Sequence, residues 1–255
     1  GFSQPGSLRL DRFWGDSLKI AASADIHSPK LLDLFRESLH RMEEPDLFVL
    51  AGDLVLKNDF KEIPKVVSSI REVYEGRIVA CLGNEEYGQD KSKYLKYREI
   101  TWLDDSSVTM EFKGEKLTII GSRGSLDRPT YWQRTHVKGI WRLYAERVKV
   151  IDSLLAGAKT GNVVVVTHYA PTQGTMVGER RSSWPEMGSK KFEDVIRLRQ
   201  PSLWVHGHIH RGTVSSTYVG KTLVVNTSLP ARREVVLLEL PKIRRSTPST
   251  LTDYM

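Results

Sequence analysis

The chain has 255 residues, of which 40% are hydrophobic and 27% are charged, a balance close to that of ordinary globular proteins. Its single cysteine, Cys81, excludes a disulfide framework and makes a cysteine-built zinc site unexpected. The sequence lacks an apolar run of the roughly eighteen residues that a membrane span needs, and it lacks a secretory leader, so we expect a cytoplasmic protein with no membrane partner. The formal net charge of +7 favours acidic ligands, although the basic residues are spread along the chain.

The first part of the chain alternates short apolar, β-branched runs with amphipathic stretches. This pattern predicts strands at 18–24, 46–52 and 77–83, with helices between them at 30–42 and 62–74. Such alternation is typical of a βαβαβ unit, in which the strands are parallel and the crossovers are right-handed.

The rest of the chain mixes hairpins with further helices and strands. The predicted elements are a hairpin at 107–122, a long helix at roughly 134–156, a strand at 162–168, a helix at 189–200, a strand at 202–208, and three antiparallel strands at 212–220, 221–228 and 233–240. The fold class is therefore α/β. We predict one domain over residues 1–255, with a core at about 18–240 and a peripheral tail at 241–255.

Metal-ligand residue types follow five of the predicted strands. In α/β sheets, binding sites form beyond the carboxyl ends of the strands. One such residue alone is ordinarily a helix cap or a turn residue, so the argument depends on the whole set. In chain order the residues are Asp25, His27, Asp53, Asn84, Glu85, His168, His206, His208 and His210.

The chemistry of these side chains points to metal ions. Oxygen and imidazole ligands without thiolates suit Mn²⁺, Fe²⁺ or Fe³⁺, Zn²⁺ or Ni²⁺. The set fits two ions that share a carboxylate, an arrangement that clamps the attacking and leaving oxygens of a displacement at phosphorus. Residues two apart share a face of an extended chain, and Gly207 permits a bend. We therefore expect His208 and His210 to be ligands and His206 to support the site.

Taken together, these blocks resemble the motifs of the calcineurin-like metallophosphoesterases, which are D-x-H, G-D, G-N-H-[DE], a lone His after a strand, and G-H-x-H. They occur here in the family's order over about positions 18–212, as Asp25-Ile26-His27, Gly52-Asp53, Gly83-Asn84-Glu85-Glu86, His168 and Gly207-His208-Ile209-His210. The resemblance implies a four-layer α/β/β/α sandwich of two facing mixed β-sheets flanked by helices. It also implies a metal site at the carboxyl-terminal ends of the strands.

The resemblance further implies a role for each residue. Two divalent metal ions would be held by two triplets and one shared carboxylate, namely Asp25, His27 and His210 for the first ion, Asn84, His168 and His208 for the second, and Asp53 for both. A bridging water or hydroxide would be the nucleophile, because two cations lower its pKa. The catalytic residues would be Asp53, Asn84 and the residue at position 85.

Position 85 departs from the family pattern. The third block has Glu85 where the family has a histidine that is thought to protonate the leaving group. An ionised Glu85 would repel an anionic substrate, and Glu86 makes the block more acidic still, so we expect weak activity on esters with strongly basic leaving groups. Two alternatives are open. Another acid, such as His136 or a metal-bound water, could act, or a dry site with like charges could keep Glu85 protonated.

Basic residues on two predicted loops are candidates for substrate contacts. The segment 174–192 follows His168 and predicts a loop over the site, from which Arg180 or Arg181 would contact a phosphate group. A second rim loop at 121–132 carries Arg123 as a weaker candidate.

Three functions fit these observations. The first is a metal-dependent phosphodiesterase, with manganese among the candidate ions. The second is a non-catalytic metal-binding scaffold with the same fold, which the complete ligand set disfavours. The third is a nuclease, whose affinity for DNA or RNA would fall steeply with rising salt concentration. The sequence leaves the substrate, the metal and the oligomeric state open.

Overall fold

A computed structural model describes residues 17–87 and 91–241, which form eleven strands and seven α-helices. The strands are β1 (Leu18–Ser23), β2 (Leu47–Ala51), β3 (Ile78–Cys81), β4 (Thr101–Leu103), β5 (Ser106–Phe112), β6 (Glu115–Ser122), β7 (Asn162–Thr167), β8 (Leu203–His206), β9 (Ser216–Val219), β10 (Thr222–Asn226) and β11 (Val236–Leu240). The helices are α1 (Leu32–Leu39), α2 (Ile63–Arg71), α3 (Lys91–Leu95), α4 (Tyr131–His136), α5 (Ile140–Gly157), α6 (Lys191–Arg199) and α7 (Leu229–Arg232). Short 3-10 helices occupy Phe60–Glu62, Gln173–Thr175 and Arg181–Glu186.

The first sheet has five strands in the order β11-β1-β2-β3-β4. Strands β1 to β4 are parallel, as the predicted βαβαβ unit requires. Strand β11 pairs antiparallel with β1 and comes from the end of the described chain. All five residues of β2 are buried because the strand lies in the middle of the sheet and is covered on both faces.

The second sheet has six strands in the order β5-β6-β7-β8-β10-β9. Its four central strands are parallel, whereas β5 and β9 pair antiparallel at the two edges. Both sheets are therefore mixed. In the second sheet the parallel strands are central and antiparallel strands form both edges, whereas in the first sheet the edges are the antiparallel β11 and the parallel β4.

Three hydrophobic clusters divide the molecule into layers. The first lies between the sheets and includes Val49 from one sheet and Val166 from the other. The second packs α1 and α2 against the outer face of the first sheet. The third packs α5 and α6 against the outer face of the second sheet. The architecture is a four-layer α/β/β/α sandwich, which confirms the predicted fold class.

The predicted helix at 134–156 is wrong in one respect, because the structure has two helices there. Helix α4 ends at Val137, whose backbone is extended, and Gly139 adopts the left-handed conformation with φ of 75° before α5 begins. Thr130 starts α4 with a capping box, in which its side chain and that of Gln133 each bind the other's backbone N–H. Helical spacing of apolar residues does not reveal such a break.

The final three strands also differ from the prediction of a purely antiparallel group. Strand β9 does pair antiparallel with β10, but β10 is parallel to β8, and β11 crosses to the first sheet. A strand's alternation pattern specifies which face is buried but not which strand lies beside it.

Two expectations concern parts of the chain that the structure does not test. The predicted peripheral tail at 241–255 falls outside the described residues from position 242 onward, and the single-domain organisation stays a prediction. Among the described residues, no helix combines the length and the apolar character that crossing a membrane requires. The cytoplasmic location likewise stays a prediction.

Packing of the second sheet against its helices can be tested at Trp204, which is fully buried. Its ring lies 5.3 Å from that of Phe192, and its Nε1 donates to Thr167 Oγ1 at 2.9 Å. We expect Trp204→Ala to lower the free energy of unfolding by about 3–5 kcal/mol in urea denaturation, because it opens a cavity and removes the donor to Thr167. Trp141 is 56% exposed and serves as the control. Trp141→Ala should change the free energy of unfolding by less than about 0.5 kcal/mol. Similar losses in both variants would contradict this assignment.

Candidate metal centre

Five strands from the two sheets end at one place. At that edge Asp25 N donates to Gly52 O at 3.0 Å, Gly207 N donates to His168 O at 3.1 Å, and Ala24 N donates to Thr227 O at 3.0 Å. These backbone contacts join the ends of β1 and β2, of β7 and β8, and of β1 and β10. The side chains that follow the strands are therefore brought together, as predicted from the sheet geometry.

The first group of candidate ligands contains Asp25, His27 and His210. Asp25 Oδ1 lies 3.1 Å from His210 Nε2 and 3.9 Å from His27 Nε2. The two imidazole rings are 5.3 Å apart and nearly perpendicular. His27 Nδ1 is buried and has no hydrogen-bond partner among the described residues. One atom of each residue thus faces a common point.

The second group contains Asp53, His168 and His208, with Asn84 beside them. His168 Nε2 lies 3.4 Å from Asp53 Oδ2 and 2.9 Å from Asn84 Oδ1. The His168 and His208 rings are 4.9 Å apart. The structure therefore brings all seven predicted ligands into two adjoining groups.

The two groups touch through His208. Its backbone N donates to Asp25 Oδ2 at 2.8 Å, and its ring lies 6.4 Å from that of His210. Asp25 is thereby held through Oδ2, which leaves Oδ1 facing the two imidazoles of its own group. Asp53 falls in the second group by distance, so its role as a ligand shared by two ions stays a prediction.

Four of these candidate ligands have a left-handed backbone, which is uncommon for residues other than glycine. The φ angles are 57° at Asp25, 44° at His27, 53° at Asp53 and 68° at His208. Left-handed residues cost free energy and tend to cluster at functional sites, where the surrounding structure holds them in place. Tight turns directly after the strand ends aim these side chains at one another.

Glycines in the motifs permit close approach between strand ends. A methyl group on Gly83 would collide with the Asp53 backbone and carboxylate, and one on Gly207 would lie 2.8 Å from Asp25 Oδ2. The absence of a Cβ at Gly83 lets two strand ends of the first sheet approach each other, and its absence at Gly207 lets the two sheets meet at Asp25.

Glu86 positions Asp53, a role that the sequence analysis missed. The Glu86 carboxylate is fully buried and accepts four backbone N–H groups, from Gly83 at 2.7 Å, Asp53 at 2.9 Å, Leu54 at 2.7 Å and Val55 at 3.3 Å. The sequence analysis expected Glu86 to add negative charge near the substrate. Its carboxylate instead points into the protein. The acidic residue at the fourth position of the third block was the signal for this role.

The donor set fits divalent cations. His168 Nδ1 contacts Ala51 O at 3.0 Å, so Nδ1 carries a proton and, in the neutral ring, Nε2 presents a lone pair. Nε2 therefore faces the Asp53 and Asn84 oxygens, and three lone pairs converge on one point. Such convergence is unfavourable unless a proton on Nε2 or a bound cation lies there. Within the described part of the chain, the ion-pair partners of Asp25 and Asp53 are all imidazoles.

The protonation equilibria reflect this concentration of negative charge. Burial disfavours the charged form of His168, but the Asp53 carboxylate raises the pKa of His168 to about 9. Burial would raise the pKa of Asp25, but the hydrogen bond from His210 lowers that pKa below its usual range. Burial lowers the pKa of His208 to about 3, which leaves this imidazole neutral and able to donate a lone pair.

His206 and Glu85 lie beside these groups but face other partners. Both ring nitrogens of His206 are engaged, one 2.9 Å from Thr175 Oγ1 and the other 2.8 Å from Gly207 O. This placement agrees with a supporting role. Glu85 N donates to Asp53 Oδ1 at 2.7 Å, while its carboxylate accepts the Lys57 N–H at 2.6 Å.

The other predicted participants lie on the surface or its rim. His136 is exposed at the end of α4 and stacks on Trp132 at 4.8 Å. Arg180 and Arg181 are exposed, and the Arg181 guanidinium lies over the Trp184 ring at 5.6 Å. The segment that carries both arginines is partly 3-10 helix rather than the plain loop that was predicted. A contact of either arginine with substrate stays a prediction.

Comparison with known proteins agrees with this architecture. A family model of calcineurin-like phosphoesterases matches residues 18–212. The structure is similar to that of phosphopantetheinyl hydrolase from Mycobacterium tuberculosis, with a TM-score of 0.66, 16% identity, and coverage of 91% of this chain and 99% of that one. It is also similar to a putative 5'-nucleotidase from Staphylococcus aureus, with a TM-score of 0.54, 14% identity, and coverage of 90% and 55%.

A third similar structure is GAP50, described as the anchor in the inner membrane complex of Plasmodium, with a TM-score of 0.56, 12% identity, and coverage of 84% of this chain and 72% of that one. The search of curated proteins gave no match. Identities this low establish a shared fold alone. The family model, by contrast, spans well over half of the sequence and includes every candidate ligand. The chain therefore belongs to the calcineurin-like phosphoesterase family.

Proposed function

We propose that this chain is a phosphodiesterase that works with two divalent metal ions, with Mn²⁺ as the first candidate. The observation that carries the proposal is the convergence of two buried carboxylates, four imidazoles and one amide at the strand ends. Membership of a phosphoesterase family makes a phosphate ester the substrate class.

Some residues would bind the metal ions, and others orient the residues that bind them. Asp25, His27 and His210 would hold one ion, and Asn84, His168 and His208 the other, with Asp53 shared between the two. Ions held in this way polarise a phosphate ester and lower the pKa of a water molecule. The chain's own contribution is orientation, because His208 N fixes Asp25, Ala51 O fixes the tautomer of His168, and Glu86 fixes the Asp53 turn.

A non-catalytic scaffold is the alternative reading, since one structure of similar fold is described as an anchor. The burial of Asp25 and Asp53 argues for metal binding in either case, because buried carboxylates need compensating charge. The phosphodiesterase hypothesis predicts turnover and the scaffold hypothesis predicts none. Measuring metal content and hydrolysis on the same sample distinguishes them.

Asp53→Asn tests the metal-dependent activity. The protein is stripped of metal, reloaded with Mn²⁺, Ni²⁺ or Zn²⁺, and assayed on bis-p-nitrophenyl phosphate and p-nitrophenyl phosphate. We expect metal-dependent cleavage that is faster on the diester. We also expect a loss of more than about 100-fold in the variant, since even partners that only orient metal ligands contribute about 10–100-fold.

Thermal unfolding supplies the control for this experiment. Metal ions that bind the folded chain should raise the melting temperature of the parent protein more than that of the variant. Two bound ions per chain with no turnover on either ester would favour the scaffold. A faster reaction on the monoester would contradict the diesterase proposal.

Glu85→His tests the departure in the third block. A histidine titrates near neutral pH and could donate a proton to the leaving group, whereas the Glu85 carboxylate accepts a backbone N–H. We expect turnover of an alkyl diester such as glycerophosphocholine to rise by at least about tenfold, since positioned proton donors contribute about 10²–10⁴-fold.

Glu85→Gln is the matched control, because it removes the charge, retains an acceptor for Lys57 N, and supplies no proton. It should give a smaller gain than the histidine variant. Unchanged or slower turnover by Glu85→His, at full metal content, would exclude position 85 as the limiting feature.

A further inference from the structure

Arg123 lies beside the second ligand group. It directly follows β6, the strand next to β7, so it emerges at the same edge of the sheet as His168. Its carbonyl oxygen accepts the Tyr169 N–H at 3.0 Å. The Tyr169 ring in turn lies 5.3 Å from the His168 ring and 5.0 Å from the His208 ring. One hydrogen bond and one side chain thus separate Arg123 from two candidate ligands.

The guanidinium of Arg123 adjoins the third block of the motif. Its Nη2 donates to Glu86 O at 2.6 Å, two residues after Asn84. Glu86 is the residue whose carboxylate holds the Asp53 turn. The positive charge therefore lies against the segment that carries Asn84 and Glu85, on the side of the site formed by the second group.

Within the described residues, no carboxylate forms an ion pair with this charge. Arg123 is partly buried, and across residues 17–87 and 91–241 it forms no ion pair. One of its donors, Nε, is buried with no hydrogen-bond partner in the same residues. A partly buried cation without a counter-ion is costly, so it favours the approach of an anion. Arg147 shows the contrast, because its buried guanidinium pairs with Asp105 at 3.1 Å.

A hydrogen-bond network fixes the backbone around Arg123. Asp105 accepts from both Arg147 and Ser122, at 3.1 Å and 2.5 Å, and Ser122 Oγ accepts the Gly124 N–H at 2.9 Å. Arg147 also donates to Gly124 O at 3.4 Å. The residues on both sides of Arg123 are therefore held by buried polar contacts, which limits the positions that its side chain can reach.

We propose that Arg123 binds a non-bridging oxygen of the phosphate group in the substrate, on the side of the second ligand group; this rests on the proposed function. A guanidinium presents paired N–H donors that match the geometry of phosphate oxygens. Arg180 and Arg181 are less suited to this role, because both are exposed and Arg181 is engaged with Trp184.

Equilibrium binding of inorganic phosphate tests the assignment without requiring turnover. Protein loaded with Mn²⁺ is titrated with phosphate by calorimetry, and metal content and melting temperature are measured on the same samples. Arg123→Ala and Arg123→Met should each weaken phosphate binding by at least about tenfold, because each loses charge-assisted hydrogen bonds. The methionine variant retains the apolar stem, which guards against a loss caused by packing alone.

Arg142→Ala is the matched control, since it removes the same charge from an exposed position on α5. It should bind phosphate like the parent protein. Unchanged phosphate binding in both Arg123 variants at full metal content, or an equal loss in the Arg142 variant, would overturn the proposal. A phosphate affinity that depends on Arg123 in a protein without hydrolytic activity would uphold this inference while refuting the proposed function.

Discussion

The carboxylate of Glu86 is the contact on which the geometry of the site depends. It accepts four backbone N–H groups from two turns, those that follow β2 and β3. Without it, four donors at these strand ends would be buried and unpaired, which proteins seldom tolerate. Burial, together with the neighbouring Asp53 carboxylate, raises the pKa of Glu86 to about 7. The fixed turns in turn hold Asp53 in its left-handed conformation.

The glycines in the short motifs meet a packing requirement, and the residues beside them supply the candidate metal ligands. Gly52 has φ of 83°, and a methyl group there would lie 2.6 Å from Gly83 N. A methyl group on Gly83 would meet Asp53 in the same way. Gly52 therefore makes room for Gly83 and for His168 Nδ1, which would lie 2.9 Å from that methyl group, and Gly83 makes room for Asp53. The spacing of glycine and ligand in the sequence follows from how closely the strand ends approach one another.

Much of the architecture could be predicted from the sequence because its signals are local. Residue types after five strands predicted which side chains meet, and the resemblance to a known family implied the layered sandwich. The break between α4 and α5 was missed because it depends on one left-handed glycine within an otherwise helical pattern. The pairing of β10 with β8 was missed because strand neighbours are set by tertiary packing.

The roles of two charged side chains, Glu86 and Arg123, could not be predicted from the sequence either. Glu86 was interpreted as making the third block more acidic, yet three of the four buried N–H groups that it accepts belong to residues some thirty positions away. Arg123 was ranked below two arginines on a loop, because composition does not reveal that no described carboxylate pairs with it. Burial and pairing, which decide both cases, are properties of the folded chain.

Each ligand group takes members from both sheets. Asp25 and His27 follow β1 of the first sheet, whereas His210 lies beyond β8 of the second; Asp53 and Asn84 face His168 and His208 in the same way. Asp25 and His210 are 185 positions apart in sequence. A cation bound by either group would therefore link segments that are far apart in sequence, and it would stabilise the folded chain because the unfolded chain does not hold these ligands together. The centre would then connect the two sheets, adding to the apolar contacts between them and to the hydrogen bonds from Ala24 N to Thr227 O and from His208 N to Asp25 Oδ2.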